Sequence, residues 1–326
     1  MWCEMPLSKF MRTVVRKSGA GRFYTREIRP LRQRGLWKTW EVHTRKKHYL
    51  QALLLADPIE SRPDGLEAHM LLSHARLTAG LWAFYLLARQ SQRALSIVVH
   101  DDGSLTAHDV KCFARVFPNF KLITRDESDR RLADVFATQG LPRCAQLRRS
   151  LVFGLKLFDP MIFAEQHRLI ILDSDVLFFS CPSEVIDYLS FDDAVLPPRY
   201  SPDVRDQYCL NDEEMREVLG QPCIARFNPG VMCASVDTLV LPRIESYLGH
   251  PKFWLPGGAA NYYAELTIWA MELTHQKAIM LSDDYALVPT DFKQAGLVSG
   301  HYCGGVSSDN LYYFQALPHV ASVLLQ

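Results

Sequence analysis

The segment Arg168-Leu-Ile-Ile-Leu-Asp-Ser-Asp-Val-Leu-Phe-Phe179 constrains this chain more than any other. Residues 169–172 are four apolar residues in a row, without polar alternation. That is the pattern of a strand buried on both faces of a parallel sheet. The run stops at Asp173-Ser174-Asp175. In extended chain, residues i and i+2 point the same way, so both carboxylates face one side. They leave the strand at its carboxyl end, where open α/β sheets bind ligands. Two carboxylates held there repel one another unless a cation lies between them, and oxygen ligands suit Mg²⁺ or Mn²⁺. An ion in that place would hold a diphosphate. Most Asp-x-Asp pairs are solvated turns or helix caps, so the rest of the chain has to decide.

The chain of 326 residues is 48% apolar, enough to bury a sizeable core. Its formal net charge is zero, but residues 1–50 hold 13 Lys/Arg against 3 Asp/Glu, a net of +10. The remainder carries 23 basic against 33 acidic residues, a net of −10. Such asymmetry describes a basic arm on a mildly acidic body. Eight cysteines are scattered without a C-x-x-C pair, which fits small buried thiols in a reducing cytosol. Residues 1–10 hold no long apolar stretch like that of a secretory signal. No apolar run approaches the roughly 18 residues that span a bilayer. The expectation is a cytoplasmic protein, peripheral to a membrane at most. Phe10, Val14, Trp37 and Trp40 lie among the basic residues of the arm. A basic segment with such apolar positions suits an anionic membrane surface or a lipid-linked acceptor. An arm packed on the body, or a dimer contact, accounts for them equally. The arm carries no recognisable nucleic-acid motif, so no nucleic acid is expected.

The signals divide the chain into a basic extension (1–65, partly helical), an α/β body (66–305) and a C-terminal segment (306–326, partly helical). In the extension, residues 37–56 read as a helix with Trp40, Leu50, Leu53 and Leu54 as apolar contacts. In the body, strands at 69–73, 95–99 and 120–124 alternate with helices capped by Thr78 and Thr106. Helical segments follow at about 129–139 and 145–158. This alternation argues a mostly parallel central sheet flanked by helices. Beyond the Asp-x-Asp strand the pattern gives helices at 182–189 and 211–219 and a strand at 193–196 between them. Pro229-Gly230 reads as a turn into an apolar strand, and Asp237 as the cap of the next helix. A helix at 262–275 has Glu265 near its start, and late strands fall at 278–281 and 297–301. Residues 310–325 close the chain with a helix broken at Pro318.

Several pieces, taken in order, resemble one family. Leu155-Lys-Leu-Phe-Asp-Pro160 precedes the Asp-x-Asp strand, and Cys181-Pro182 follows it. Phe227-Asn-Pro-Gly-Val-Met232 is similar to an Asn-x-Gly-Val motif, and His301-Tyr-Cys-Gly304 to a His-x-x-Gly motif. Over roughly residues 66–305 they resemble glycosyltransferases of the GT-A fold in family 8, the glycogenin-like and bacterial lipopolysaccharide-galactosyltransferase-like enzymes. The resemblance implies a GT-A α/β fold and a UDP-linked or other nucleotide-diphospho-sugar donor. It implies a glycan, lipid-linked or protein acceptor, and Mn²⁺ or Mg²⁺ as cofactor. By the same resemblance Asp173 and Asp175 hold the ion, Asp173 also touches the ribose, and His301 completes the metal site. Asn228 and Gly230 line the sugar pocket, and Gly304 joins the donor-binding set.

Other assignments rest on chemistry. Arg149 and Lys156 are seven residues apart, two helical turns, and on one helix they share a cationic face able to hold donor phosphates. A solvated face accounts for them as well. Asp102, after the second strand, is placed to accept from the nucleotide base or ribose, although an Asp-Gly turn explains it equally. The chain also departs from the family. A lysine is expected three residues after the glycine of His-x-x-Gly, and Ser307 stands there. The acidic-Gln pair near the anomeric carbon reads Glu265-Leu266. Glu265 is then either the base of an inverting reaction or a contact to the sugar. Two rival readings are a haloacid-dehalogenase-type phosphatase, with Asp283-Asp284 as its second acidic pair, and a GT-A-like protein that binds a nucleotide sugar without turnover.

Overall fold

The computed structural model describes residues 35–190 and 196–324. Helix α1 (Leu36–Leu55) precedes β1 (Leu66–Leu72), α2 (Leu77–Ser91), β2 (Leu95–Asp101), α3 (Ala107–Val116) and β3 (Lys121–Ile123). Three helices follow, α4 (Arg125–Gln139), α5 (Pro142–Ser150) and α6 (Phe153–Phe163), and lead to β4 (Arg168–Leu172) and β5 (Val176–Phe178). The second half begins with α7 (Ser183–Ser190), β6 (Arg199–Pro202), α8 (Asp212–Leu219), β7 (Phe227–Ser235), α9 (Leu241–Tyr247) and α10 (Ala264–His275). It ends with β8 (Ile279–Met280), β9 (Tyr285–Leu287), β10 (Ser299–His301), α11 (Val306–Leu311), a π-helical turn (Tyr312–Ala316) and α12 (Leu317–Leu324).

Seven strands form the central sheet in the order β3-β2-β1-β4-β7-β6-β8. Neighbours are parallel except where β7 meets β4 and β6. The expected α/β class with a mostly parallel sheet is the one the chain adopts. β5, β10 and β9 form a second, three-stranded sheet. All five residues of β4 are buried. Ile170 and Leu172 enter the core that holds Trp82 and Phe84, and Leu169 and Ile171 enter the opposite one with Phe158 and Trp269. Each such side chain contributes about 1.5–3 kcal/mol by leaving water. A cavity from Ile170→Ala would cost about 2–5 kcal/mol.

Several local expectations are corrected. Trp40 is no core contact of α1; it is 58% exposed beside Trp37, also exposed. The buried stripe of α1 is Val42, Tyr49 and Leu53, spaced at helical intervals that leave Trp40 outside. That stripe packs into the same core as α2, and Trp82 Nε1 donates to the Tyr49 carbonyl at 3.2 Å. Thr78 does not cap α2, because a 3₁₀ turn (His74–Arg76) supplies the entry and Thr78 lies buried inside the helix. Pro229 and Gly230 form no turn. They lie within β7, whose register against β6 shifts between Tyr200 and Ser201. A bulge is where a strand tolerates a proline, which has no N–H to give the ladder. Asp237 caps nothing; α9 starts later, after Val240. Pro318 does not break the chain's last helical run, which continues from residue 306 to 324 with a π-helical turn, Tyr312–Ala316, just before the proline. Residues 193–195 of the strand expected at 193–196, and the basic residues before position 35, lie outside the described residues, and Leu196 itself is in no strand. Among the described residues no helix is long and apolar enough to cross a membrane, and the described cysteines are free thiols.

Candidate active site

β4 delivers Asp173 and Asp175 to the carboxyl edge of the sheet, and two ladders bring partners to them. β7 runs antiparallel beside β4 with Val231 opposite Leu172, and the Asp173 N–H donates to the Gly230 carbonyl at 2.9 Å. β10 pairs with β5 so that His301 stands opposite Val176, and the Tyr302 N–H donates to the Asp175 carbonyl at 3.0 Å. The result is that His301 Nε2 lies 3.2 Å from Asp175 Oδ1 and 3.5 Å from Asp173 Oδ2. One ligand atom from each of the three residues falls within 4.8 Å of the other two.

A second ring of contacts sets the imidazole. Asn228 Oδ1 accepts from the Gly230 N–H at 2.9 Å, and its Nδ2 donates to Asp203 Oδ2 at 3.0 Å. That fixes the amide orientation. The same Oδ1 lies 2.7 Å from His301 Nδ1, so Nδ1 carries the proton. Nε2 faces the carboxylates: it donates to Asp175 when the ring is protonated, and it is the bare nitrogen offered to an ion when the ring is neutral. Metal-binding histidines are oriented in this way by a hydrogen bond on the other nitrogen. Two carboxylate oxygens and one such nitrogen fit a divalent ion of the Mg²⁺ or Mn²⁺ kind, and these residues could hold one. Burial pulls the His301 pKa down, but the hydrogen bond and charge of Asp175, with Asp173, outweigh it and the net shift is upward. Burial pushes Asp175 up, and His301 and Arg76 reverse this to hold it below the usual carboxylate range. Gly230 leaves room for the ring: a Cβ there would lie 2.6 Å from His301 Cγ and closer still to Nδ1.

The cationic face expected of Arg149 and Lys156 does not form. α5 ends at Ser150 and α6 starts at Phe153, so the two residues lie on different helices. The helices meet at Gly154, where a Cβ would come 2.7 Å from Arg148 Cα. Arg149 is exposed and makes no ion pair among the described residues. Lys156 is buried, and its Nζ donates to Asp173 Oδ1 at 2.6 Å and to the Pro229 carbonyl at 2.9 Å. It neutralises part of the acidic pair from beneath. Glu265, in the first turn of α10, is buried, with Oε1 lacking a hydrogen-bond partner. Burial, helped by the Asp173 charge and opposed by Lys156, raises its pKa to about 7.

Asp102 is used inside its own turn, where Oδ1 accepts from the Ser104 N–H at 3.0 Å and from Ser104 Oγ at 2.5 Å. Gly304, at φ +102°, and Gly305, at φ +95°, turn the chain from His301 into α11, a backbone shape glycine adopts without strain. Asp283 and Asp284 are not in the cluster that Asp173 and Asp175 form with His301: Asp283 is exposed and pairs with Arg226 at 3.3 Å, and Asp284 accepts from Ser282 Oγ. Three residues without a sequence signal also belong here. Asp203 anchors Asn228, and Arg76 lies with Nη2 3.8 Å from Asp175 Oδ2 and Nη1 2.7 Å from Asp309 Oδ1.

No family model matches this chain, and no curated protein sequence matches it. Solved structures are similar to it. Mouse xyloside xylosyltransferase 1, apo form, is 14% identical at a TM-score of 0.46, covering 77% of this chain and 99% of that one. The galactosyltransferase LgtC with donor and acceptor sugar analogs is 14% identical at 0.43, covering 74% and 88%. The bifunctional glycosyltransferase WbbM is 12% identical at 0.48, covering 80% of this chain and 51% of that one. What the site does has to be read from its own residues.

Proposed function

We propose that this protein is a metal-dependent glycosyltransferase of the GT-A type, moving a sugar from a nucleotide-diphospho-sugar, UDP-linked, to the hydroxyl of a glycan, lipid-linked or protein acceptor. One observation carries the reading. Asp173 Oδ2, Asp175 Oδ1 and His301 Nε2 converge at the carboxyl edge of the sheet, with the histidine tautomer set from behind by Asn228. In this reading the three residues hold Mn²⁺ or Mg²⁺, which when bound supplies positive charge against the donor diphosphate.

The bond from the anomeric carbon to the β-phosphate oxygen breaks, and its electron pair leaves with the nucleoside diphosphate. The acceptor oxygen forms the new bond to that carbon and gives up its proton. Glu265 is the group suited to take that proton. It is buried, one of its oxygens is unpaired, and burial places its pKa at about 7, near the value that best serves a base at neutral pH. Asn228 and Gly230 fix His301 and form a wall of the sugar pocket. Asp102, just after β2, and Gly304, just after β10, remain donor contacts in this reading, while Arg149 loses the phosphate role expected of it.

A thermal-shift panel of nucleotide sugars with and without Mn²⁺ tests the proposal, because a ligand of the native state raises its melting point. Stabilisation that needs the ion is expected, together with sugar transfer or slow donor hydrolysis. Equal stabilisation in EDTA counts against a metal-bridged diphosphate. Shifts without turnover would favour a pure binding protein, and phosphate release from a generic ester a phosphatase. Asp283 and Asp284, engaged with Arg226 and Ser282 and outside the Asp173–Asp175–His301 cluster, weigh against the phosphatase. The basic extension completes the proposal as a contact to an anionic membrane, supported by exposed Leu36, Trp37 and Trp40 on a helix that also carries Lys38, Arg45, Lys46 and Lys47.

A further inference from the structure

Among the described residues two cations stand beside the acidic pair, and they differ in what they have left to offer. Lys156 is 3% exposed and its ammonium bonds Asp173 and the Pro229 carbonyl. Arg76 is 32% exposed. It ends the 3₁₀ turn that follows β1, and β1 is the parallel neighbour of β4, so both strands end at one edge. Nη1 is clamped by Asp309 at 2.7 Å. Nη2 stands 3.8 Å from Asp175 Oδ2, too far for a hydrogen bond. The turn is braced from outside, where Lys46 Nζ on α1 reaches the Ala75 carbonyl at 3.5 Å.

Charge sharpens the point. With His301 and Glu265 in their neutral forms, Asp173, Asp175 and Asp309 bring three carboxylates to this corner, against Lys156 and Arg76. A divalent ion would turn that single net negative charge into a single net positive one. Without Arg76 the corner would be neutral in the presence of the ion and would offer a diphosphate no net attraction. A guanidinium also suits the task in shape, since its planar fork meets two phosphate oxygens at once.

We propose that Arg76 binds the donor diphosphate and takes up the negative charge that builds on it as the sugar departs, with Asp309 as the residue that positions the guanidinium. The proposal rests on the glycosyltransferase reading. It assigns to the turn after β1 the phosphate contact that Arg149 and Lys156 do not share.

Isothermal titration in Mn²⁺ tests it, with UDP, GDP, ADP and CDP each compared with its monophosphate, on the wild type, Arg76→Gln and Arg76→Lys. The wild type should favour one diphosphate over its monophosphate. Arg76→Gln should weaken that diphosphate by about 10–100-fold, as loss of a charged hydrogen bond does, and the monophosphate much less. Arg76→Lys should recover part of the loss, because it keeps the charge and loses the fork. Mn²⁺ affinity, read by electron paramagnetic resonance without nucleotide, should stay within about threefold of the wild type, well under the effect of losing a ligand. An unchanged diphosphate preference in Arg76→Gln overturns the role of Arg76 alone. A loss of Mn²⁺ affinity as large as the loss of diphosphate does the same, since Arg76 would then merely hold Asp175. A wild type that binds none of the diphosphates with Mn²⁺ overturns the functional reading and this proposal together.

Discussion

Gly230 and His301 are fitted to one another: the imidazole lies where a side chain on Gly230 would have to go. Gly230→Ala should therefore push the ring off Asn228 and turn Nε2 away from the carboxylates. Mn²⁺ affinity should fall by about 10–100-fold, the scale for losing the support of a metal ligand. Substituting His301→Ala should give a similar loss, because both changes remove the same nitrogen. Mn²⁺ titration followed by electron paramagnetic resonance measures it. Wild-type affinity in Gly230→Ala would show that the histidine is no ligand.

The two aspartates should part company in stability. Asp175→Asn keeps size and removes a charge, and Arg76 still has Asp309 as partner. Sugar transfer and metal binding should collapse while the melting temperature without metal changes little. Asp173→Asn removes the carboxylate that Lys156 holds at 2.6 Å, leaving a buried ammonium with the Pro229 carbonyl. Breaking a fully buried pair costs about 3–5 kcal/mol. Asp173 is 27% exposed, so solvent screening should reduce the loss to about 1–3 kcal/mol. Calorimetry of both variants in EDTA distinguishes them, and equal melting temperatures would contradict the Lys156 contact. Normal sugar transfer by Asp175→Asn would remove the metal site itself.

Glu265 sets a pH dependence whose sign follows from its shift. Its pKa is raised from 4.5 to about 7 in the folded protein. The stability it contributes is complete below the unfolded value and is lost as pH rises through about 7. Glu265→Gln cannot ionise. Relative to the wild type it should gain stability between about pH 5 and pH 8, by at most about 3 kcal/mol. Turnover should fall while metal-dependent donor binding persists. Melting curves across that range check the first statement, and a gap that does not change with pH would mean Glu265 is not buried as a charge.

The exposed indoles of Trp37 and Trp40, 5.3 Å apart, give the membrane contact a test. Replacing both by serine should leave the melting temperature unchanged, because neither supports the core. Sedimentation with anionic vesicles should fall by about tenfold and should weaken further in high salt. Absence of vesicle binding by the intact protein, or equal binding by the variant, would end the membrane reading.

How far the sequence could be read depended on how local each cause was. β4 was legible because a strand buried on both faces leaves an unbroken apolar run. The Thr106 start was legible because the capping box with Asp109 lies within four residues. The shared face of Arg149 and Lys156 failed because it assumed an unbroken helix. No proline interrupts residues 149–156; the break comes from α5 and α6 closing on Gly154, a tertiary contact. Trp40 failed for a similar reason, since Val42 and Tyr49, and not the bulkier indole, face Trp82 and its neighbours. Asp203, Arg76 and Asp309 carry no motif. They reach the site from separate strands, turns and helices, and the sheet alone brings them together.

The Lys156 ammonium gives the acidic pair a built-in competitor. A metal ion arriving by itself must share Asp173 with a cation already bonded to it at 2.6 Å. An ion arriving on a diphosphate brings negative charge of its own and faces less opposition. Idle protein should therefore hold little metal, and loading should follow the supply of charged donor rather than the supply of free ion.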